Sequence, residues 1–251
     1  VLASCQREDN VLRVGMDLKY PPFETVDLNN KPVGISVDIA NALGEFMGVK
    51  VEIVNTDFLS IIPALQSGEI DIAIASMSIT DARKEVVDFS EPYFYFKILS
   101  LVNKTFAIAN NLTIDSTVED LLAVENVNYI GLASQVSTTI PQSYGKEVIE
   151  STSLATAIES VAQGTADVLL MSANPVVDGY QANPTTTMVL WDSFVSSPIG
   201  MAVNKGNQEL LDQANAFIET FNVPGGLYDV LKTKWDATIL ENLGRFGLEF
   251  Y

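Results

Sequence analysis

The stretch Ala75-Ser-Met-Ser-Ile-Thr-Asp-Ala-Arg-Lys-Glu-Val-Val-Asp-Phe-Ser-Glu-Pro-Tyr93 decides the fold of this chain. The apolar run before it, residues 70–74, is typical of a buried strand. Thr80 or Asp81 is a suitable N-cap for a short helix that follows the strand. A strand that passes through a polar connection into a helix predicts one unit of an α/β fold.

The end of this strand carries side chains that favour an anion. Ser76 and Ser78 supply hydroxyl groups there, and Arg83 lies in the first turn of the predicted helix. An arginine can bind a carboxylate with two hydrogen bonds, and a helix N-terminus adds N–H donors. We therefore expect this strand end to bind a carboxylate. The ordinary alternative is that Arg83 pairs on the surface with a neighbouring acid: Asp81, Glu85 or Asp88.

The alternation of strands and helices continues on both sides of this stretch. Upstream, the pattern predicts strands at 11–16 and 51–54 and helices at 35–47 and from Phe58 onward. Strands that alternate with helices predict βαβ units and a mainly parallel sheet. The same alternation restarts beyond residue 104 and includes a predicted strand at 199–203, so we expect two α/β lobes. A linker rich in Pro, Gly and Ser is absent from the sequence, which predicts that strands join the lobes.

A proline-containing loop follows the first predicted strand. It runs from Asp17 through Tyr20-Pro-Pro-Phe23, and two consecutive prolines exclude a regular element there. Loops at the carboxyl ends of strands bind ligands in open α/β sheets. Tyr20 and Phe23 would then form a stacking wall for a ligand. Equally, either ring could pack against the core and close the loop.

The composition excludes several classes of function. The chain of 251 residues has 14 Lys and Arg against 32 Asp and Glu, a formal charge of -18, which disfavours binding to nucleic acid. It has no His and one Cys, so it lacks the commonest general base, His-ligated metals and internal disulfides. No apolar run approaches the roughly 18 residues of a membrane-spanning helix. We expect neither a metal nor a cofactor.

The single cysteine lies near the start of the sequence. Leu2-Ala3-Ser4-Cys5, followed by the polar residues 6–10, resembles a bacterial lipobox. That resemblance implies that Cys5 is the lipidated first residue of a mature lipoprotein and that residues 1–4 are a remnant of a signal peptide. A chance cysteine in a truncated N-terminus is the alternative. Lipid attached at Cys5 would be the chain's link to a membrane.

Several motifs, taken in order along the chain, resemble one family. They are Val14–Asp17, Tyr20–Phe23, Gly34–Asp38, Leu65–Gly68, Asp71, Ser78–Arg83, Val87–Tyr93 and Ile199–Gly206. The family is that of the extracellular solute-binding proteins of polar amino-acid ABC transporters, and the resemblance covers roughly residues 11–235. It implies an α/β fold of the type II periplasmic-binding-protein kind, with mainly parallel sheets and two crossing hinge strands.

The resemblance also implies how the chain is divided. In this family two lobes close over a ligand by bending at the hinge strands. The pieces on this chain would be lobe 1 over 11–97 and 199–251, lobe 2 over 104–192, hinge strands over 98–103 and 193–198, and a signal remnant and tether over 1–10.

The family's ligand site can be carried over to the first lobe residue by residue. Arg83 matches the arginine that holds the ligand's α-carboxylate, and Ser76 and Ser78 match strand-end positions that contribute backbone and hydroxyl groups. Asp17 matches a loop position that often meets the ligand's side chain or ammonium group. The aromatic positions that enclose the ligand are matched by Tyr20 and Phe58.

The second lobe departs from the family's pattern at two places. Where a helix often begins with Gly-Thr-Thr or Gly-Ser, this chain lacks the glycine; Ser137 is the best match and Thr138 the alternative. Where an acid often binds the ligand's α-ammonium group, this chain has Ser172. A neutral hydroxyl cannot replace a buried ion pair. Either Asp17 or another acid compensates, or the ligand lacks a standard α-ammonium group.

These observations predict a binding protein and not an enzyme. It would capture an amino acid or a related small carboxylate between closing lobes and deliver it to an ABC transporter permease, as an extracytoplasmic, lipid-anchored monomer. A ligand-sensing domain of a signalling system is one alternative. A dehydratase acting on cyclohexadienyl acids is the other, although the absence of His and the presence of Ser172 leave it without an evident general acid.

Overall fold

The structure, a computed structural model, describes residues 11–194 and 196–242. Its strands are β1 (Val11–Met16), β2 (Thr25–Val26), β3 (Pro32–Val33), β4 (Lys50–Asn55), β5 (Ile72–Ala73), β6 (Val87–Phe89), β7 (Phe94–Asn103), β8 (Tyr129–Leu132), β9 (Val148–Ser151), β10 (Val168–Ser172), β11 (Thr187–Leu190), β12 (Ser196–Ile199) and β13 (Ala202–Asn204). Its helices are α1 (Ile35–Met47), α2 (Ile61–Ser67), α3 (Asp81–Lys84), α4 (Lys104–Ala109), α5 (Val118–Leu122), α6 (Val136–Ser143), α7 (Leu154–Gln163), α8 (Ala173–Ala182), α9 (Gln208–Glu219) and α10 (Leu227–Asn242).

Tertiary contacts divide the chain into two compact units. Of the described residues, the first unit contains 11–94 and Pro198–Ile239, and the second contains Tyr95–Ser197 and 240–242. Residues 1–10, 195 and 243–251 lie outside the described part of the chain, and with them Cys5, the predicted tether and the end of predicted lobe 1. None of the described helices combines the length and the apolar character that crossing a membrane requires.

The first unit is built on a sheet in the order β4-β1-β5-β13-β6. Strand β1 runs parallel to β4 and β5, as predicted, whereas β13 runs antiparallel to β5 and β6. The antiparallel pairs arise because β13 belongs to the segment that returns to this unit after the second one. Apolar side chains such as Val14, Leu43 and Ile72 are buried between the sheet and its helices.

Parallel pairing places three connections at one edge of this sheet. Gly15 pairs with Ala73, and Met16 pairs with Asn55. The loop that begins at Asp17, the segment that leads to Phe58 and the segment that leads to Ser76 therefore all leave the sheet at the same edge. This is the edge at which open α/β sheets bind ligands.

The second unit has a sheet in the order β11-β7-β10-β8-β9. Strand β8 is parallel to β9 and β10, and β7 is antiparallel to β10 and β11. Alternate residues of β7 enter two separate cores: Ile98 and Val102 lie in one, and Leu99 and Leu101 lie in the other. Because both faces of β7 are covered from Ile98 onward, residues 98–102 are apolar except for the buried Ser100 and show no two-residue alternation.

One predicted element is divided in the structure. The run 199–203 was expected to be a single strand, but β12 ends at Ile199 and β13 begins at Ala202. Gly200 packs so closely on the side chain of Ile79 that an added Cβ would lie 2.8 Å from its Cδ1 atom. The prediction of one strand was wrong because the chain changes pairing partners here, which apolar periodicity cannot show.

Candidate functional site

The loop after β1 is closed on itself by backbone hydrogen bonds. The N–H of Tyr20 donates to the carbonyl of Glu24 at 2.8 Å, and the N–H of Glu24 donates to the carbonyl of Tyr20 at 3.0 Å. The rings of Tyr20 and Phe23 are stacked with their centroids 5.5 Å apart. Phe23 is buried, so it is the ring that closes the loop against the core, and it fixes the half-buried ring of Tyr20 above it.

Asp17 and Phe58 lie together at the start of the site. The N–H of Phe58 donates to Oδ2 of Asp17 at 3.2 Å. The other carboxylate oxygen, Oδ1, is buried and has no hydrogen-bond partner among the described residues. Its nearest cation is the exposed Nζ of Lys19, 3.5 Å away. One oxygen of Asp17 thus holds the backbone of Phe58, and the second is available to a hydrogen-bond donor from a ligand.

Arg83 is held at the strand end by the elements that the sequence predicted. Thr80 caps α3 and accepts a hydrogen bond from the N–H of Arg83 at 3.3 Å. The guanidinium group donates from Nη1 to the carbonyl of Ser78 at 2.7 Å, and its central carbon lies 5.1 Å from the centre of the Phe58 ring. Of the acids named in the surface-pair alternative, Asp88 binds Lys205 and Asp81 binds Lys84.

Burial changes the acid–base character of Arg83. Desolvation lowers the pKa of its guanidinium group to about 10. The group still carries its charge at neutral pH, but the charge lies in a site poor in water. A negative group placed beside it would compensate for part of the free-energy cost of that desolvation. The guanidinium group therefore favours an anionic ligand.

Ser76 has an unusual backbone conformation for a residue with a side chain. Its φ angle is 49°, in the left-handed region. Its hydroxyl donates to Oε2 of Glu24 at 3.0 Å, and the buried hydroxyl of Ser36, in the first turn of α1, donates to the same oxygen at 2.6 Å. Glu24 therefore connects the loop after β1, helix α1 and the strand end that carries Ser76.

Sequence reasoning missed Glu24 as a functional residue. Its side chain is only 2% exposed, which is rare for a glutamate. Its partners Ser36 and Ser76 are 12 and 52 residues away in the sequence. A glutamate at the end of a proline-containing loop is ordinarily exposed, so the one available signal was its position directly after the buried Phe23.

The buried environment raises the pKa of the Glu24 carboxyl group to about 8, mainly through desolvation and also through the negative charge of Asp17. The two serine hydroxyl groups act in the opposite direction, because they stabilise the ionised form. In the folded protein the group therefore keeps a proton over a pH range in which the unfolded chain has lost it.

This difference predicts how stability depends on pH. Between pH about 4.5 and about 8 the folded state binds more protons at Glu24 than the unfolded state does. The free energy of unfolding should therefore fall as pH rises through this window, by at most about 1.4 kcal/mol per pH unit. Glu24→Gln keeps an acceptor for both serines and should remove this decline. Urea unfolding of both proteins at pH 5, 6, 7 and 8 measures the difference, and parallel curves would contradict the buried carboxyl.

In the second unit, Ser137 and Thr138 bind the backbone of one residue. The hydroxyl of Ser137 accepts a hydrogen bond from the N–H of Leu132 at 3.0 Å, and the hydroxyl of Thr138 donates to the carbonyl of Leu132 at 2.7 Å. Both side chains are buried and hold the turn between β8 and α6. Ser137 accepts in its bond and Thr138 donates its proton, so the two hydroxyls hold both backbone groups of Leu132.

Ser172 is the last residue of β10 and immediately precedes α8. Its side chain is 4% exposed and makes no capping bond to that helix. Strands β10 and β8 are parallel, with Leu169 opposite Ile130, so Ser172 and the turn after Leu132 leave the sheet at the same edge. The lobe-2 candidates therefore cluster at one sheet edge, as the lobe-1 candidates do in the first unit.

Asp167, the acid just before β10, binds another residue of the protein through hydrogen bonds. It accepts hydrogen bonds from the N–H of Asn128 at 2.8 Å and from the side-chain amide of Asn128 at 3.0 Å. It lies at the opposite end of β10 from Ser172 and does not replace an acid there. Within the described part of the chain, no cluster of three or more His, Cys, Asp or Glu side chains could hold a metal ion.

Comparison with known proteins identifies one family. The model of the bacterial extracellular solute-binding proteins, family 3, matches residues 12–237. The chain is 30% identical to the L-cystine-binding protein TcyJ of Escherichia coli over 91% of this chain and 84% of the relative. It is 30% identical to an L-arginine-binding protein of Pseudomonas aeruginosa over 90% of this chain and 88% of the relative.

Two solved structures extend the similarity to the fold. An ancestral arginine-binding protein bound to arginine has a TM-score of 0.74 and 33% identity, with 91% of this chain and 99% of that chain covered. An ancestral amino acid-binding protein described as a precursor of cyclohexadienyl dehydratase has a TM-score of 0.74 and 32% identity, with 90% and 95% covered. The predicted type II periplasmic-binding-protein fold is confirmed by these neighbours.

Proposed function

The chain belongs to the bacterial extracellular solute-binding proteins of family 3, and from this premise we infer that it binds an amino acid outside the cytoplasm and delivers it to an ABC transporter permease. The observation that carries the inference is the arrangement around Arg83. A desolvated guanidinium group, an aromatic ring and a buried carboxylate oxygen lie at one sheet edge.

The chemistry of these three groups fits a zwitterion. Arg83 would bind the α-carboxylate, and Phe58, with Tyr20 opposite, would cover the apolar part of the ligand. The free oxygen of Asp17 would accept a hydrogen bond from a cationic or amide side chain, or from the α-ammonium group. The named ligands of the relatives, arginine and cystine, both carry an α-carboxylate and an α-ammonium group.

The contribution of the second unit rests on fewer groups. Ser137 and Thr138 are buried, so their role in binding would be to fix the turn after Leu132. Ser172 offers a hydroxyl where the family often has an acid, so it can accept a hydrogen bond from an ammonium group but supplies no charge. We propose that the lobes, with hinges at 98–103 and 193–198, close when both sets of groups bind one ligand. Small-angle scattering should then show a smaller radius of gyration with saturating ligand, and an unchanged radius would contradict closure.

A thermal-shift screen tests the proposed function. The panel should contain L-arginine, L-histidine, L-cystine and L-glutamine, with a neutral sugar at equal concentration as the control. A ligand at a hundred times its dissociation constant should stabilise the folded protein by about 2.7 kcal/mol and raise the melting temperature by several degrees. A panel in which every amino acid behaves like the sugar would refute the proposal.

We propose transport and not catalysis, although one structural neighbour is a precursor of a dehydratase. Dehydration needs a general acid that reaches the substrate. The candidate ligand contacts of the second unit are hydroxyl groups. Of the two acids in the first unit, Glu24 is almost completely buried, and Asp17 accepts a hydrogen bond from the N–H of Phe58 and would accept one from the ligand. Conversion of prephenate or arogenate by the purified protein would overturn this view.

The location follows from the family, whose relatives are extracytoplasmic binding proteins. We further propose that lipid on Cys5 holds the protein, as a monomer, at the outer face of a membrane. Cys5 lies outside the described residues, and the support is the sequence Leu2-Ala3-Ser4-Cys5 with its polar successor. Mass spectrometry that finds an unmodified Cys5 in protein extracted from host membranes would contradict the anchor.

A further inference from the structure

The direction of the Ser76 hydroxyl bond restricts what this residue can offer a ligand. Its single proton is donated to Oε2 of Glu24. Toward the ligand side the hydroxyl oxygen therefore presents lone pairs alone. An oxygen of this kind accepts a hydrogen bond from an ammonium group and does not bind a carboxylate. Ser76 thus suits the other end of a zwitterion whose carboxylate lies on Arg83.

The carboxyl group of Glu24, which accepts the Ser76 hydrogen bond, can ionise when a positive charge binds nearby. Two hydroxyl groups, from Ser36 and Ser76, converge on one of its oxygens, an arrangement that stabilises the ionised form. Burial opposes ionisation, and the balance places the pKa of Glu24 at about 8 in the ligand-free protein. A positive charge that arrives one hydroxyl group away is enough to shift such a balance near neutral pH.

The titratable groups that act on Glu24 come from two other segments. Asp17, on the loop after β1, opposes its ionisation. Tyr93, just before β7, has a buried hydroxyl without a hydrogen-bond partner among the described residues, and the charge of Glu24 contributes to raising the pKa of this phenol. Tyr93 therefore stays neutral while Glu24 ionises. Helix α1 and the strand end face Glu24 with the neutral hydroxyls of Ser36 and Ser76.

We propose that Glu24, acting through the hydroxyl of Ser76, supplies the negative charge that balances the α-ammonium group of the bound amino acid. Glu24 does not touch the ligand; it is a positioning residue that orients Ser76 and polarises it. It takes the role of the acid that is missing at Ser172, and it leaves Asp17 to bind the ligand's side chain. The inference rests on the proposed amino-acid ligand.

Proton release is the measurable consequence. At pH 7 a carboxyl group with a pKa of about 8 is protonated in roughly nine molecules of ten, and it must give that proton to solvent when the ammonium group binds. The affinity for an amino acid should therefore rise at least about tenfold between pH 6 and pH 8. A ligand without an α-ammonium group should release no proton at Glu24.

Calorimetry at pH 7 in two buffers of different ionisation enthalpy tests the proposal. The probes are L-arginine and L-glutamine, each compared with its analogue without the α-amino group, 5-guanidinopentanoate and glutaramate. Wild type should release close to one proton with the amino acids. Glu24→Gln should abolish the release and weaken the amino acids at least about tenfold more than the analogues. Asp17→Asn is the matched control: it removes a carboxylate of the same site, and because the charge of Asp17 is the smallest of the contributions to the raised pKa of Glu24, most of the proton release should remain.

Ser76→Gly provides a second variant that is expected to fold. Glycine adopts a φ of 49° without strain, so the variant removes the hydroxyl and keeps Glu24 in place. It should lose the proton release as Glu24→Gln does. Full proton release in either variant, or equal weakening of amino acids and analogues, would overturn the proposal. If wild type binds none of the amino acids in the thermal-shift panel, the proposed function itself fails, which is a distinct result.

Discussion

Replacement of Arg83 by alanine is expected to weaken binding of the amino-acid ligand at least about thirtyfold and to leave the fold intact. The guanidinium group is desolvated in the free protein, and its pKa is lowered for that reason. A ligand carboxylate would be its ion-pair partner in a water-poor site, and the loss of one member of such a pair costs about 2–5 kcal/mol. Titration calorimetry with the amino acid selected by the thermal-shift screen measures the loss.

The neighbouring Lys84 gives a matched control for this substitution. It is a cation on the same short helix, but it is exposed and its partner Asp81 is 3.7 Å away on the surface. Lys84→Ala should change the affinity less than twofold, since exposed ion pairs are weak. The melting temperature of Arg83→Ala should stay close to that of wild type, because the variant also removes a desolvated charge. An affinity within a few-fold of wild type would remove Arg83 from the site.

The largest loss of stability is expected for Gly34→Ala. Gly34 precedes α1 with a φ angle of 134°, and an added Cβ would lie 2.1 Å from the carbonyl oxygen of Phe23. This contact is with backbone and cannot be relieved by a side-chain rotation. The loop after β1 would have to move and break the bonds from the N–H of Ile35 to Pro22 and from the N–H of Ser36 to Phe23. We expect a loss of at least about 3 kcal/mol.

Gly48→Ala distinguishes steric conflict from backbone strain. Gly48 ends α1 with a φ angle of 71°, and an added Cβ there meets no atom within 4 Å. Its replacement should cost about 1 kcal/mol through the left-handed conformation alone. Urea unfolding of the two variants compares these terms directly. Equal effects at both positions would mean that the approach of Gly34 to Phe23 is not a constraint on the fold.

The lobe-1 contacts that the sequence predicted depend on local order or on parallel strands. Thr80 and Arg83 are neighbours in one helical turn, so the cap and the position of the guanidinium group follow from local chemistry. Asp17, Phe58 and Ser76 lie at the same sheet edge because parallel strands end there, which alternation of strands and helices predicts.

The features that escaped prediction depend on contacts between distant segments. The burial of Glu24 requires Ser36 and Ser76 to be brought to it by the fold. The antiparallel entry of β13 depends on how the chain returns to the first unit, and apolar periodicity carries no strand direction. Thr138 is a local case: family position assigned its hydroxyl to a ligand, and in the structure this hydroxyl donates to the carbonyl of Leu132, six residues away. Its place in the ligand site remains a proposal.

We infer that Arg83 holds the α-carboxylate of an amino acid. Titration calorimetry of the wild-type protein with amino acids and with the amines that lack their carboxylate tests this inference. L-arginine and L-glutamine should be compared with agmatine and 4-aminobutanamide, which differ from them only by loss of the carboxylate. At least one amino acid should bind, and its amine should bind at least about thirtyfold more weakly. An amine that binds as tightly as its amino acid would contradict the account.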